Sequence, residues 1–317
     1  MNELFPFFLP RFPRITLRRT IGAVILFATA FFIAILSSSA GSSDVSAYEQ
    51  ATNTDNSVSV VDFLDVGQGS STLIRFSDGK TLLIDTGPKS ARANLLGYLE
   101  SRDIQFVDCM VLTHQHGDHT DNALAVLDQY EVGDIWMPDA PKSLFLSVSK
   151  YEELYREIAD RGYALRNPIQ GEVILQGPDY RVTVLSEDAG DYIQLNDYSI
   201  VLRVEIGDVV FLLMADGESF VEKQLLEKGA AISADVISVG HHGNYAGTTE
   251  EFLAAVKPRI AVISVGVNTF GQPNEGVIDR LDRSGCSVFR TDVFGTVTVT
   301  TDGDRLFLDY GEDEFVR

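Results

Sequence analysis

Cysteine is scarce in this chain, with only Cys109 and Cys286 among 317 residues. Two cysteines cannot form the disulfide framework of a small secreted domain, and neither lies in a cysteine-based metal motif. They could pair outside the cytoplasm, but buried free thiols are the simpler interpretation, because each lies beside an apolar, β-like run. The fold must therefore rest on a hydrophobic core, which a chain of this length with 45% apolar residues can build.

Basic residues are also few: the chain has 25 Lys and Arg but 46 Asp and Glu, which gives a formal net charge of −21. Four of the basic residues form a short N-terminal block, namely Arg11, Arg14, Arg18 and Arg19. The rest of the chain is therefore even more acidic than the total indicates. Such a surface repels nucleic acids and anionic membranes at long range, although bound cations or a local basic groove would offset this near a site.

No charge interrupts residues Thr20 to Leu36, a run that suits either a short membrane span or the core of a signal peptide. The basic block before it predicts that the N-terminus stays inside and the rest of the chain lies outside. We interpret residues 1–36 as a cytoplasmic basic segment with a single-pass membrane anchor; cleavage as a signal peptide, followed by secretion, is the alternative. Residues 37–57 are small, polar and aperiodic, as in a flexible linker.

Residues 58–317 carry the pattern of a folded domain. The β-like runs "VSVVDFLDV", "STLIRF" and "TLLIDTG" come first, and helical patterns then alternate with apolar strands as far as "GTVTVTTDGDRLFLDY". Hairpins followed by strand-helix alternation occur in each half, which predicts two sheets packed face to face with helices outside. The expected fold is thus α/β, a four-layer αββα sandwich preceded by one N-terminal hydrophobic helix.

Histidine is confined to two short segments, "VLTHQHGDH" and "GHHG", each of which follows an apolar strand, and a third such strand ends at "LLMAD". The histidines and aspartates concerned are His114, His116, Asp118, His119, Asp216, His241 and His242. Alternate residues of an extended segment point the same way. His114 and His116 can therefore share one metal ion, while the following turn directs Asp118 and His119 to a second. Imidazole and carboxylate ligands together suit zinc, manganese or iron.

The run from His114 to His119 matches the HxHxDH signature and resembles the metallo-β-lactamase superfamily. More narrowly, "FLDVGQG", "LLIDTG", "GHHG" and "SVGVNTFGQPNEGVIDRLDRSG" are similar to the metallo-hydrolase domain of the ComEC family of competence proteins, over about Val58 to Tyr310. The resemblance implies the metallo-β-lactamase fold, two divalent ions that are zinc or manganese, and phosphodiester cleavage. ComEC proteins also carry a DNA channel of many spans, whereas this sequence resembles a stand-alone hydrolase on a single anchor.

The resemblance also implies roles for individual residues. His114 and His116 would hold the first ion, Asp118 and His119 the second, and Asp216 would bridge the two. His241 would complete the second set, and His242 would contact the substrate or support a ligand. Two further residues, Asp85 in "IDTG" and Gln68 in "GQG", are expected to orient a ligand histidine and to border the pocket, respectively. An ordinary role for Asp85 in a turn after a strand is an equal alternative.

The sequence departs from the family pattern in the first metal set, since no histidine lies between His119 and His241. Many superfamily members have a third first-site histidine in that interval. Asn196 or Asp197 in "LNDYS" is expected to fill its place. Gln272 stands where the family usually has a histidine before the proline of a late segment, so the substrate rim differs as well.

These residues favour a metal-dependent hydrolase that acts through a hydroxide shared by two metal ions, with Asp118 orienting that nucleophile. An extracytoplasmic phosphodiesterase or nuclease of ComEC type is the first hypothesis, with a small phosphodiester or a nucleic acid as substrate and no protein partner inferred. Hydrolysis of an ester, a lactone or a phosphorylated cell-wall component is the alternative. A catalytically silent, metal-stabilised binding module is the alternative of another class, and it is disfavoured because folding alone does not require Asp118.

Overall fold

The computed structural model describes residues 58–145, 147–186 and 192–310. The predicted N-terminal hydrophobic helix, the basic segment and the predicted linker all lie outside these residues. Fifteen strands are found within them: β1 (Ser59–Phe63), β2 (Thr72–Arg75), β3 (Thr81–Ile84), β4 (Phe106–Val111), β5 (Glu131–Trp136), β6 (Leu165–Arg166), β7 (Val173–Gln176), β8 (Tyr180–Val184), β9 (Leu202–Ile206), β10 (Val209–Leu213), β11 (Val236–Ser238), β12 (Ile260–Ile263), β13 (Ser287–Arg290), β14 (Val297–Thr301) and β15 (Leu306–Tyr310).

Eight α-helices connect these strands. They are α1 (Arg92–Ser101), α2 (Gly117–Thr120), α3 (Ala123–Gln129), α4 (Val148–Asp160), α5 (Ser219–Glu227), α6 (Glu250–Val256), α7 (Glu275–Arg283) and α8 (Thr291–Phe294). Helix α7 shows how the sequence sets such boundaries, because the Asn274 side chain caps its N-terminus by accepting from the backbone N–H of Gly276. Glu275 lies in the first turn and Arg283 in the last, where each complements the helix dipole.

The strands form two mixed sheets. The first has eight strands in the order β15-β14-β1-β2-β3-β4-β5-β6, and the second has seven in the order β13-β12-β11-β10-β9-β8-β7. In the first sheet β3, β4, β5 and β6 pair in parallel, and in the second β10, β11, β12 and β13 do. Antiparallel strands open each half and parallel strands follow them, as the sequence predicts, and the final antiparallel hairpin of β14 and β15 returns to the first sheet beside β1.

Alternate residues of the central strands pack into different cores. Leu82 and Ile84 of β3 join the cluster between the two sheets, whereas Leu83 joins the cluster under helices α1, α3 and α4. On β10, Phe211 packs between the sheets and Leu212 packs against helices α5, α6 and α7. Because both faces of these strands are buried, their sequences are continuous apolar runs and do not alternate with polar residues.

The three clusters arrange the described residues in four layers, with helices on the outer face of each of two packed sheets. Cys109 lies between the sheets, Cys286 lies under the helices of the second sheet, and both are free thiols. Within residues 58–145, 147–186 and 192–310, no helix is both long and apolar enough to cross a membrane.

Candidate metal centre

The candidate residues lie at one edge of both sheets. Strands β1, β3 and β4 point the same way in the first sheet, and β10, β11 and β12 do so in the second. Asp85 follows β3, the segment from His114 to His119 follows β4, Asp216 follows β10, and His241 and His242 follow β11. The carboxyl ends of these strands therefore bring all five histidines of the chain to one place.

Asp216 lies at the centre of the cluster, and its carboxylate is buried with a side-chain exposure of 2%. Its Oδ2 atom is 3.5 Å from His114 Nε2 and 3.7 Å from His241 Nε2. Its Oδ1 atom is 3.2 Å from His119 Nε2 and 3.7 Å from His242 Nε2. The two oxygens of one carboxylate thus face two different pairs of histidines, which we call the Oδ2 side and the Oδ1 side.

Two further residues extend these sides. His116 Nδ1 is 3.1 Å from His114 Nε2 on the Oδ2 side, and Asp118 Oδ2 is 3.3 Å from His242 Nε2 on the Oδ1 side. Donor atoms of two triads each lie within 4.8 Å of one another: His114, His119 and Asp216 form the first triad, and Asp118, His119 and His242 form the second. His119 belongs to both, so the two triads are adjacent.

Several of these atoms are buried without a hydrogen bond. His119 Nε2, His242 Nε2 and Asp216 Oδ1 have no hydrogen-bond partner among the described residues, although they lie within 4 Å of one another or of Asp118. A buried polar atom left unpaired costs about 1–3 kcal/mol, so such a set needs a partner that the protein does not provide. Imidazole nitrogens and carboxylate oxygens that converge in this way fit divalent ions such as zinc or manganese.

The second nitrogen of three rings is held by a fixed acceptor. His119 Nδ1 is 2.6 Å from Asp85 Oδ2, His241 Nδ1 is 2.6 Å from Glu218 Oε1, and His242 Nδ1 is 2.7 Å from the carbonyl oxygen of Ser264. An acceptor at Nδ1 places the ring proton there. In the neutral form of each ring, Nε2 therefore has its lone pair directed towards Asp216, which is the arrangement that a metal ligand needs.

The protonation states also suit metal binding. Burial, and electrostatic repulsion from the neighbouring His114 ring, lower the pKa of His116 to about 4, and burial also lowers the pKa of His114. Burial would raise the pKa of Asp118, but its contact with His242 and the charge of His119 hold that pKa below the usual range. His119 and His241 are the exceptions. The carboxylates of Asp216 and Asp85 outweigh burial and raise the pKa of His119 well above the usual value, and Glu218 and Asp216 likewise raise the pKa of His241. A cation between these groups would replace the proton of His119.

Backbone strain is concentrated around the cluster. Asp85, Ala215, His241 and His242 all have positive φ angles, at 59°, 49°, 46° and 55°. A left-handed conformation costs a residue other than glycine roughly 1–2 kcal/mol, and it persists only where the surrounding structure enforces it. Gly240 permits this turn, because a Cβ atom there would collide with the carbonyl oxygen of Gly217. The strand ends are thus bent sharply, so that His241 and His242 face Asp216 and Asp85 faces His119.

The structure places the other predicted residues as follows. Asp85 lies against His119, and it also accepts hydrogen bonds from the backbone N–H and the hydroxyl of Thr113, both at 2.8 Å. The Asn196 side-chain nitrogen is 3.1 Å from His241 Nδ1, whereas the Asp197 side chain accepts from Gln194. The sequence interpretation grouped His241 with Asp118 and His119; in the structure the residue beside Asp118 is His242.

Gln68 borders the cluster indirectly. Its side-chain NH₂ donates to Gln272 Oε1 at 2.8 Å, and the NH₂ of Gln272 donates in turn to the carbonyl oxygen of His241 at 3.2 Å. The Gln68 side-chain oxygen accepts from the backbone N–H of Gly266. Gln68 and Gln272 therefore link the early "GQG" turn to the histidine pair from the far end of the chain.

Sequence reasoning did not single out Glu218, Ser264 or Thr113. Glu218 follows Asp216 by two residues in "ADGES", so its position after the same strand was the available signal. Ser264 acts through its backbone carbonyl, which no side-chain pattern can indicate. Thr113 precedes His114 directly, and its hydroxyl lies 3.1 Å from His114 Nδ1.

Comparison with known proteins agrees with this geometry. Residues 64–267 match the family model described as the metallo-beta-lactamase superfamily. The chain therefore belongs to the metallo-β-lactamase superfamily, whose members are usually hydrolases. The resemblance to the ComEC family is also confirmed, because the curated relatives are competence-related members of that family.

Two of these relatives are "ComE operon protein 3" of Bacillus subtilis, 31% identical over 255 residues, and "Recombination protein 2" of Haemophilus influenzae, 32% identical over 261 residues. The matches cover 75% and 80% of this chain but 32% and 30% of the relatives. The chain thus spans about a third of their length. Among solved structures, the diiron β-hydroxylase CmlA of Streptomyces venezuelae aligns with a TM-score of 0.53 at 14% identity, over 77% of this chain and 54% of that one. At this identity, the likeness shows the fold alone.

Proposed function

We propose that this protein is a hydrolase that uses two divalent ions, zinc or manganese, to cleave phosphodiesters outside the cytoplasmic membrane. The observation that carries the proposal is that histidines lie on both sides of the Asp216 carboxylate. The buried Nε2 atoms of His119 and His242, which have no hydrogen bond, face Oδ1, and Nε2 of His114 faces Oδ2. A structural role alone does not account for such unpaired atoms, because each destabilises the fold unless a ligand satisfies it.

The Oδ1 side would hold one ion through Asp118, His119 and His242, whose donor atoms lie within 4.8 Å of one another, together with Asp216, whose Oδ1 atom is 3.2 Å from His119 Nε2 and 3.7 Å from His242 Nε2. The geometry therefore favours His242 over His241 for that ion. The Oδ2 side would hold the other ion through His114 and His116, with Asp216 shared between the two. When bound, two ions at such a site lower the pKa of a water molecule and neutralise the charge that develops on a phosphoryl oxygen.

Asp118 is the residue best placed to act on the nucleophile. Its side chain is 35% exposed, whereas those of Asp216 and Asp85 are 2% and 1% exposed. It is thus the one carboxylate of the cluster that can meet an incoming substrate and water. Because its pKa lies below the usual range, Asp118 is ionised at neutral pH and can accept a hydrogen bond from the attacking water. Asp85 and Glu218, in contrast, orient ligand imidazoles from behind.

The substrate class rests on the relatives and on charge. The relatives are named for competence and recombination, which favours a nucleic acid or a related phosphodiester. A chain with a net charge of −21 repels a long polyanion, so we favour a short or small phosphodiester over bulk DNA. Cleavage of a small phosphodiester should therefore depend less steeply on salt than the action of a basic nuclease on DNA.

A panel assay tests the activity. Metal-loaded protein should hydrolyse bis-p-nitrophenyl phosphate, and the same preparation is offered single-stranded DNA, a lactone and a β-lactam. His116→Ala protein, purified in parallel, controls for contaminating hydrolases. Cleavage of the lactone alone would move the protein to the ester or lactone alternative. A fully loaded protein that is inert on the whole panel would contradict the proposal and favour the binding module.

Location is proposed from the uncharged run from Thr20 to Leu36 behind the arginine block. Residues after about 45 would then lie outside the cytoplasmic membrane, on an anchor or free after cleavage. Protease added to intact cells should degrade the domain, while a cytoplasmic marker protein survives. Full protection of the domain in cells whose surface proteins are digested would overturn the assignment.

A further inference from the structure

The Oδ2 side lacks one expected ligand. His114 and His116 supply two imidazoles and Asp216 supplies Oδ2, yet no histidine lies between His119 and His241 in the sequence to provide a third. His241 approaches the same oxygen, because its Nε2 atom is 3.7 Å from Asp216 Oδ2. That spacing is close to the 3.5 Å between His114 Nε2 and the same oxygen. His241 is thus positioned to complete this side.

The backbone separates the two adjacent histidines. His241 (φ 46°, ψ 50°) and His242 (φ 55°, ψ 25°) are both left-handed, and their ring planes are 65° apart. Nε2 of His242 faces Asp216 Oδ1 and Asp118, whereas Nε2 of His241 faces Asp216 Oδ2. Two successive strained residues other than glycine are uncommon, and they persist where their geometry serves a function. The function indicated here is to divide one histidine pair between two sides of a carboxylate.

Glu218 supports His241 as Asp85 supports His119. The two carboxylates contact Nδ1 of their histidines at the same distance, 2.6 Å. The Glu218 side chain is 14% exposed, so water competes weakly for it. In the neutral ring the proton is held at Nδ1 by Glu218, so Nε2 of His241 then has its lone pair directed towards Asp216. Each side of the cluster therefore contains one histidine that is oriented by a carboxylate.

We propose that His241 is a ligand of the ion on the Oδ2 side and that Glu218 is the residue that positions it. The proposal rests on the proposed function, since it presupposes two ions. It assigns to His241 the place that sequence reasoning gave to Asn196 or Asp197. Asn196 then lies beside the ligand, as its contact with the His241 ring indicates, and does not bind the ion.

Metal counts in single and double variants test the assignment. His241→Ala and His242→Ala should each reduce the metal content from about two ions per chain to about one. His116→Ala combined with His241→Ala should still retain about one ion, because both residues serve the same side. His241→Ala combined with His242→Ala should retain close to none, because the two residues serve different sides. If the first double variant retained close to no ion and the second retained about one, His241 would belong to the Oδ1 side and the proposal would be overturned.

The outcomes also separate this proposal from the proposed function. Wild-type protein that binds fewer than two ions would count against the function itself. Wild-type protein that binds two, with His241→Ala also binding two at unchanged affinity, would overturn only the ligand assignment. Asn196→Ala serves as the competing variant. If that substitution removes an ion while His241→Ala does not, the ligand is Asn196.

Glu218→Gln tests the positioning role without removing a ligand. Affinity for one ion should fall about 10–100-fold, and cobalt bound in the His242→Ala background should show a shifted visible absorption spectrum. Glu227→Gln, at the far end of the helix that Glu218 precedes, is the matched control, because its side chain is 65% exposed and pairs with Lys223. Circular dichroism of each metal-free variant checks that the fold is retained. A Glu218→Gln protein with wild-type affinity and spectrum would refute the positioning role.

Discussion

Asp85→Asn should weaken metal binding although it removes no ligand. The Asp85 carboxylate accepts from the backbone N–H of Thr113 through Oδ1, and from the Thr113 hydroxyl and His119 Nδ1 through Oδ2. Asparagine can keep the bond at Oδ1, but it presents an NH₂ donor where Oδ2 stood. His119 Nδ1 would then have to accept a hydrogen bond, so the ring proton would move to Nε2.

That proton would occupy the nitrogen that faces Asp216, 3.2 Å away, and must leave before an ion can bind. Loss of a residue that orients a metal-bound histidine costs about 10–100-fold in affinity, which corresponds to about 1.4–2.7 kcal/mol. Competition with a chromophoric chelator at neutral pH measures this change. We expect weaker binding of the ion held by His119, with the other ion less affected.

Asp62→Asn is the matched control. Asp62 is also a fully buried carboxylate, but it lies within strand β1, pairs with Arg75 at 3.2 Å and accepts from the Thr298 hydroxyl at 2.7 Å. The control variant should lose stability while its metal affinity stays at the wild-type value. Equal affinity losses in both variants would mean that general destabilisation is the cause. An unchanged affinity in Asp85→Asn would refute the reasoning about His119.

Three further predictions follow from the described residues. Asp118→Asn should keep the fold but lose on the order of a hundredfold in hydrolysis of bis-p-nitrophenyl phosphate, because it keeps the shape of the carboxylate without its charge; a variant with wild-type rate would exclude Asp118 from the reaction. Phe211→Ala should destabilise the protein by about 3–5 kcal/mol in urea unfolding, since this ring is fully buried between the sheets; a loss under about 1 kcal/mol would show that the core collapses around the gap. Cys109 and Cys286 should resist a thiol reagent in the native protein and both react after unfolding, because burial raises the pKa of each thiol, to about 12 for Cys286; native labelling at a rate similar to that of free cysteine would contradict their burial.

The fold follows from the sequence because its periodicities are strong. Runs such as "LLI" and "VVFLL" are apolar at every position, which predicts strands with two buried faces, and the structure divides Leu82 and Leu83 between two cores accordingly. The positions of all five histidines after strands also predict a shared site, because the carboxyl ends of parallel strands meet at one edge. Nothing in the described residues tests the predicted helix within residues 1–36.

The relation between His241 and His242 could not be predicted in the same way. Which imidazole faces which oxygen depends on two successive left-handed residues, and such a turn has no periodicity to identify it. The contact of Gln68 with Gln272 joins residues more than two hundred positions apart, so it becomes visible only after both sheets are assembled. Sequence reasoning missed Glu218 because a single glutamate after "ADG" resembles an ordinary residue of a surface turn, and its partner, His241, follows a different strand.

The division about Asp216 also explains why metal binding should depend on the core between the sheets. His114 and Asp85 reach the cluster from the first sheet, whereas Asp216 and Glu218 reach it from the second. On the Oδ2 side, His241 is held by Glu218 and faces Asp216, and all three follow strands of the second sheet. On the Oδ1 side, His119 is held by Asp85 on the first sheet, whereas the Asp216 oxygen that it faces comes from the second. Neither sheet alone can therefore form the Oδ1 side. An ion bound there would contact ligands from both sheets, so its binding free energy would contribute to holding the two sheets together.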